Sequence, residues 1–482
     1  MHNPSLETAS SLPGKDSKKK LWHVGTLTYT TAGLAVLFSW LLWGDFAWSM
    51  KDRSVPPVVQ LLMKNFGATD LWMGIMIGSL PAGIGLFLGP IISYKSDRHR
   101  GRRGRRIPYI LLTTPITSLT MFGLAAGPWL GATLHKSLGG SSPGINICTL
   151  IVFGSCWTLF EFATIAANAV FGALVNDVVP QAIIGRFFGM FRALGLIAGM
   201  VFNYYLIGKA NEYYTWIFIG MGLLYGVGVT LMCLRVKEGE YPPPPVTEEV
   251  HGKKRGFLPA AKTYLHECFG HSYYLWYFGG MTLAALAMSP VNLFSVPYAT
   301  SISMNMETYG KCLSVSYFVS LLMAYPLGSL ADRIHPLRLT MVASGLYAAT
   351  ALWAGIFAKD SSNFAVALIC HTIISGFFWT ASASLGQRLL PRSRFAELAS
   401  AGGIVGSVCS IGFPFALGAF LDYSHHNYRY TFLIGSVLEI VGLALLFVLH
   451  GKFMARGGPT GYVAPEDEGY DERDAVIVKA GQ

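Results

Sequence analysis

The chain has 482 residues, 52% of them apolar and only 13% charged, with 36 Lys and Arg against 26 Asp and Glu. This balance excludes a set of ordinary soluble domains, which need more polar surface, and points to a chain whose main solvent is the bilayer. The net charge of +10 requires no nucleic-acid partner if the basic residues line one membrane face.

The opening 1-27 reads as a cytoplasmic tail: Lys18, Lys19 and Lys20 precede a long apolar run with no small-residue cleavage site, so the first span is expected to stay as an anchor. About 20 apolar residues cross a bilayer as a helix. Runs of that kind fall near 28-49, 70-94, 107-131, 146-170, 184-207 and 213-234, then near 272-298, 309-330, 337-357, 363-386, 397-421 and 430-450. The expected fold is therefore an all-α membrane protein of twelve transmembrane helices in two halves, 28-234 and 272-450.

Residues 235-271 form the central loop. Its Tyr241-Pro242-Pro243-Pro244-Pro245 predicts a stiff polyproline stretch, and Lys253-Lys254-Arg255 a membrane-surface segment. Residues 451-482 are polar, with Glu466, Asp467, Glu468, Asp471, Glu472 and Asp474, and are expected to be a disordered cytoplasmic tail. An even span count puts both termini on one side. The loops, tails and helix ends of that side hold 27 of the 36 basic residues, the opposite loops hold seven, and Arg192 and Lys311 fall within spans. The positive-inside bias then makes the terminal side cytoplasmic, in the cell membrane.

Seven Cys occur singly and never as C-x-x-C, so no disulfide, zinc or redox chemistry is expected. His266-Glu267-Cys268-Phe269-Gly270-His271 looks like a zinc-protease helix, but its His residues lie five apart, about 140° around a helix, and do not converge on one metal. No G-x-x-x-x-G-K-[ST] loop occurs. No cofactor is expected, and energy would come from a proton or other cation gradient.

Ionisable residues within spans cost at least about 2 to 3 kcal/mol and are functional candidates by default. Glu161 in the fourth span is the strongest. Arg192 lies about 12 Å into the fifth span, at a similar depth, so the two are expected to pair. Asp45, near the outer end of the first span between Trp43 and Trp48, suits a sugar, whose hydroxyls bind carboxylates and whose CH faces pack on rings. Pro290 and Pro297 are expected to break the seventh span and expose backbone around Asn292 to a cavity. His371, Trp379 and Asn168 are further candidates for solute contact.

The two halves repeat a signal. Ser93-Tyr94-Lys95-Ser96-Asp97-Arg98 follows the second span, and Gly328-Ser329-Leu330-Ala331-Asp332-Arg333 follows the eighth. A small residue, three more, then Asp-Arg resembles the loop signature of the major facilitator superfamily, with Ser93 in place of the usual Gly. The longer run from Ser96 to Tyr109, SDRHRGRRGRRIPY, resembles the glycoside and sucrose symporter branch. No P-E-S-P-R pattern of the sugar-porter branch is present.

The resemblance implies a major facilitator fold and proton-coupled symport of a sugar or glycoside-like solute by alternating access. No nucleophile, base and metal set converges at one depth in the sequence, so no enzymatic activity is expected. It implies a coupling proton on Glu161, with Asp177 as a second acid. Asp97, Arg98, Gly104, Arg105, Asp177, Asp332 and Arg333 would form the inward gate, and anionic lipids would meet its Arg cluster. A monomer is expected. The position of an Arg in sucrose symporters is Gly172 here, which leaves the solute open. Uniport, export and a non-transporting scaffold or pigment-handling role remain as alternatives.

Overall fold

The structure, a computed structural model, describes residues 21–241, 264, 266, 268–391 and 394–465, apart from the side chains of Asp332, Ala396 and Thr460. The basic start, the tetraproline, Lys253-Lys254-Arg255, Glu267 and the acidic tail lie outside the described residues.

Twelve helices among the described residues are long and apolar enough to cross a membrane: α1 Thr31–Asn65, α2 Asp70–Arg98, α3 Ile107–Ala125, α4 Ile145–Val178, α5 Gln181–Tyr205, α6 Ile207–Arg235, α7 Ser272–Ser301, α8 Met306–Ala331, α9 Pro336–Phe357, α10 Ser361–Leu389, α11 Glu397–Tyr423 and α12 Arg429–Ala455. A helix satisfies its own backbone in lipid, so these runs have no cheaper structure. Their outward faces carry Phe87, Leu112, Trp216 and Val437, all exposed. Side-chain caps begin several of them. Thr30 accepts the Gly33 amide and Asp360 accepts those of Ser362 and Asn363, and these bonds hold the Asp360 carboxyl below its usual range.

Three local departures from the expected elements affect the site. Before α1, strand β1 (Leu21–Val24), inside the expected tail, pairs antiparallel with β2 (Leu27–Thr30), which takes the start of the expected first span, and Thr26 Oγ1 accepts the Glu240 amide beyond α6. The first helix does not stop near residue 49 but continues to Asn65, through Lys51, Asp52, Arg53, Pro56 and Pro57. Asp45 is consequently mid-helix rather than near its outer end.

In α7 the break falls at Met288, where one segment ends and a second begins with Pro290 in its first turn; Pro297 sits inside that second segment without ending it. Pro290 stands where a missing N–H costs least. A wide π-turn over Gly74–Ser79 in α2 packs against Pro414 of α11.

Candidate functional site

The cavity between the halves has two lobes, about 270 Å³ and 430 Å³, that share Arg53, Asn292, Tyr317, Thr372 and Ser375. The N-terminal half contributes charge. Lys51 is fully buried, its Nζ 2.8 Å from Asp52 Oδ1 and 3.4 Å from Thr164 Oγ1. The rings of Trp48, Tyr225 and Phe160 surround the ammonium at 4.9, 5.0 and 5.5 Å, which supplies cation–π stabilisation where water is absent. Glu161, on α4 one turn from Thr164, lies in the field of Lys51 and Asp52. Asp52 and Arg53 reach the cavity itself, Arg53 stacking across it on Tyr317 of α8 at 5.2 Å.

The C-terminal half contributes neutral hydrogen-bonding groups. Asn292 follows the break in α7, and its Oδ1 lies 3.0 Å from His371 Nε2. His371 Nδ1 lies 2.9 Å from Tyr347 Oη. Ser295 and Tyr309 share a 2.9 Å bond on the same wall, and Trp379 lines the larger lobe.

The two ends of the cavity differ. On the side away from the termini, Asp422 accepts the Asp70 and Leu71 amides at 2.8 Å each, capping α2 from the other half. Buried Asp70 receives Lys64, Tyr428 Oη at 2.7 Å and His426 Nδ1 at 2.6 Å. Backbones touch there: a Cβ on Gly74 would stand 2.2 Å from Pro414 O, and one on Gly310 would stand 2.0 Å from Asn203 O. Moving toward the terminal side, the last hydrogen bond between halves among the described residues is Arg192 to Thr380 Oγ1 at 2.6 Å. Beyond it, Gly185, Gly189, Gly403 and Gly406 face open space. Among the described residues, the halves are joined on the far side and stand apart on the terminal side.

The sequence profile of the Major Facilitator Superfamily matches residues 46–416 and 277–461. The chain belongs to the major facilitator superfamily. Solved structures agree in fold. A bacterial homologue of the human lysosomal transporter Spinster, inward-facing and unoccupied, aligns with a TM-score of 0.58 at 14% identity, over 90% of this chain and 98% of its own. The nucleoside transporter NupG gives 0.57 at 11% identity, over 86% and 98%. A D-xylose-proton symporter gives 0.56 at 12% identity, over 86% and 96%.

The loop that carries the superfamily signature is a clamp within the N-terminal half. Arg105 grips Asp177 with two bonds, at 2.9 and 2.6 Å. Arg106 bonds Asp177, Ser96 and Asp97. Glu238, just past α6, accepts the amides of Arg105, Arg106 and Ile107 at 2.8, 2.8 and 2.7 Å, placing a carboxylate on the N-terminus of α3. Gly104 has φ +94°, and a Cβ there would stand 2.5 Å from Glu238 Cδ; only Gly fits. Arg98 stacks on Tyr94 at 3.7 Å. The Asp177 carboxylate keeps the Arg105 guanidinium protonated, raising its pKa. Arg333 is exposed, and the Asp332 side chain lies outside the described residues.

The structure brings Asn292, His371, Trp379 and Arg192 to the cavity. The expected Glu161–Arg192 pair is not formed: Arg192 bonds Thr380, and the cation near Glu161 is Lys51. Asp45, Trp43 and Trp48 line neither lobe. Asp45 is buried two turns before Asp52, Trp48 stacks on Phe171 at 4.6 Å beside Lys51, and Trp43 is exposed beside Gly228. Asn168 is exposed two turns after Glu161 on the same helix, and Gly172 faces open space. Sequence reasoning missed Lys51, Asp52, Arg53, Arg106 and Glu238. The signal for the first three was available, since a basic-acidic-basic run beside an apolar helix is either a loop or a buried cluster, and only packing decides which.

Proposed function

We propose that this chain is a secondary transporter that couples proton entry to symport of a sugar or glycoside-like solute by alternating access. The observation that carries this reading is the Lys51–Asp52–Glu161 cluster at a cavity between halves that are joined on the far side and stand apart on the terminal side. A carboxylate beside a buried ammonium changes its interaction with that ammonium when it takes a proton, and a change in buried charge is strong enough to bias which side of the cavity opens. Glu161 takes the coupling proton in this reading. Asp52 and Lys51 sense its charge, and Arg53 passes the change to Tyr317 of the other half.

The cavity walls support a neutral, hydroxyl-rich solute. Asn292, Thr372, Ser375 and Tyr317 offer donors and acceptors, Trp379 offers a ring, and the lobe volumes suit a small molecule. The basic bias supports a cytoplasmic terminal side in the cell membrane, so the side where the halves stand apart faces the cytoplasm and the joined side faces outward. The exposed Arg102 and Arg103 beside the bilayer suit anionic lipid heads.

The test is uptake into proteoliposomes under an imposed pH gradient, screened over mono- and disaccharides. Glu161→Gln is expected to lose uphill uptake and keep solute exchange. Gradient-driven uptake that survives in this variant would overturn Glu161 as the coupling site, and equal downhill flux without any gradient response would favour uniport.

A further inference from the structure

Behind the C-terminal wall of the cavity lies a polar group that the proposed solute path does not use. Glu439, midway along α12, is fully buried, and both of its carboxylate oxygens lack a hydrogen-bond partner. Ser344 and Tyr347 of α9 face it. Ser344 Oγ and Thr340 Oγ1, one turn apart, are buried and without partners as well. From α7 the neighbouring surface is apolar: Gly442 of α12 abuts Gly280, Leu283 and Ala284, and Gly435 abuts Ala287. Among the described residues Glu439 forms no ion pair.

An ionised carboxylate in such a place gives up its hydration with no cation to replace it. The protonated acid carries no charge and needs one acceptor. Buried oxygens grouped in this way are ordinarily satisfied by one another or by ordered water, and the Ser344 hydroxyl faces the carboxylate; the group is a polar island within the half.

A chain of bonds runs from the cavity to Tyr347, which faces Glu439. Asn292 Oδ1 only accepts, so His371 donates to it from Nε2 at 3.0 Å, which leaves Nδ1 as the acceptor for the Tyr347 hydroxyl at 2.9 Å. The Ala287 carbonyl, 3.4 Å from the same hydroxyl, is a longer alternative acceptor. When Glu439 releases its proton, Tyr347 Oη receives it while passing its own proton to His371 Nδ1, and the imidazolium so formed loses its Nε2 proton to the cavity, leaving the Nδ1–H tautomer. Uptake runs the same steps in reverse: a cavity proton binds Nε2, the Nδ1 proton passes to Tyr347, and the tyrosine's own proton passes to the carboxylate. No tyrosinate forms in either direction.

We propose that Glu439 is a second proton-binding residue, seated in the C-terminal half, which exchanges its proton with the cavity through Tyr347 and His371 under the control of solute bound at Asn292. The solute-control clause rests on the transport reading above; the proton site and its route do not.

The experiment is infrared spectroscopy of the purified full-length chain, without solute, on transfer to heavy water. The wild type should show a carboxylic-acid carbonyl band that is lost in Glu439→Gln. Tyr347→Phe should keep that band and slow its deuterium shift at least about tenfold, as expected when a positioned proton donor is removed. An identical carboxylic-acid spectrum in wild type and Glu439→Gln would overturn the site. Loss of the band on adding sodium chloride in place of potassium chloride would overturn it in favour of a metal cation. Unchanged exchange in Tyr347→Phe would overturn the route.

Coupling is then read separately, as protons moved per solute in proteoliposomes, which should fall by a whole proton in Glu439→Gln. An unchanged ratio would overturn the solute-control clause. If no solute is driven by a gradient, the transport reading fails while the spectroscopic result stands on its own.

Discussion

The two halves share an architecture and face one cavity, yet they line it with different chemistry. The N-terminal wall presents Asp52 and Arg53, backed by Lys51 and Glu161, whereas the C-terminal wall presents Asn292, His371, Thr372 and Ser375, with the Glu439 carboxylate set back behind Tyr347. A charged wall responds to a proton by a change in electrostatic energy, and a neutral wall recognises shape and hydroxyls at little electrostatic cost. Dividing the two tasks between halves makes proton binding a force on the joint between them. The comparison predicts that charge substitutions in one half change coupling, while polar substitutions in the other change selectivity.

The largest effect is expected from breaking the charged wall. Lys51→Met leaves Asp52 and Glu161 without their buried cation, and removing one partner of a buried charge group costs about 3 to 5 kcal/mol. We expect a large fall in thermal stability in detergent, together with loss of gradient-driven uptake. A variant that melts and transports like the wild type would show the ammonium to be unimportant to the wall. Lys51→Met combined with Glu161→Gln should recover part of the lost stability, because one of the uncompensated charges is removed.

Next in size is the joint on the far side, where the halves meet through Asp70, Asp422, His426 and Tyr428. Asp422→Asn weakens two charge-assisted bonds to the α2 amides, each worth about 1.5 to 3 kcal/mol when intact. The expected outcome is a population shift toward a cavity open on the far side, read as increased labelling, by a membrane-impermeant thiol reagent, of a cysteine placed at buried, cavity-lining Gln60. No change in labelling would mean that the apolar contact with Pro414 alone closes that end.

The fold was legible because each apolar run is long enough to span and the Asp-Arg signal occurs twice. Much of the site was not. Residues 51 to 53 read as an outer loop, since a charged triplet followed by Pro56-Pro57 ends an apolar window; the helix continues because those charges are met by protein groups rather than lipid. Glu161 and Arg192 illustrate a different limit. Counting at 1.5 Å per residue gives depth but not the face of the helix, and Arg192 points to α10 instead. Glu439 escaped notice because one carboxylate does not interrupt a strongly apolar run.

The repeated loops carry the comparison into smaller energies. In the N-terminal half the loop is held by Arg105, Arg106, Asp177 and Glu238, and Gly104 supplies the positive φ at the point of closest approach. Gly104→Ala should cost about 1 to 3 kcal/mol through strain at that φ and displacement of Glu238. Faster proteolysis between α2 and α3 would report it, and unaltered cleavage would show that Glu238 moves aside freely.

In the C-terminal half the corresponding connection is short, and His335 at φ +88° caps α9 by accepting the Leu337 amide at Nδ1, 3.2 Å away. Burial, aided by Arg388, Arg338 and His450, pushes this imidazole down from 6.5 to about 4. The folded state therefore binds fewer protons than the unfolded one between these values. The cap's contribution is complete above pH 6.5 and is lost as pH falls toward 4. His335→Asn keeps an acceptor and tolerates the positive φ, but does not titrate. We expect the melting temperature of the wild type to drop more than that of the variant between pH 6.5 and 5, by an amount on the order of 1 kcal/mol. Parallel pH profiles would place the acid sensitivity of the fold elsewhere, and a steeper fall in the variant would reverse the sign argued for His335.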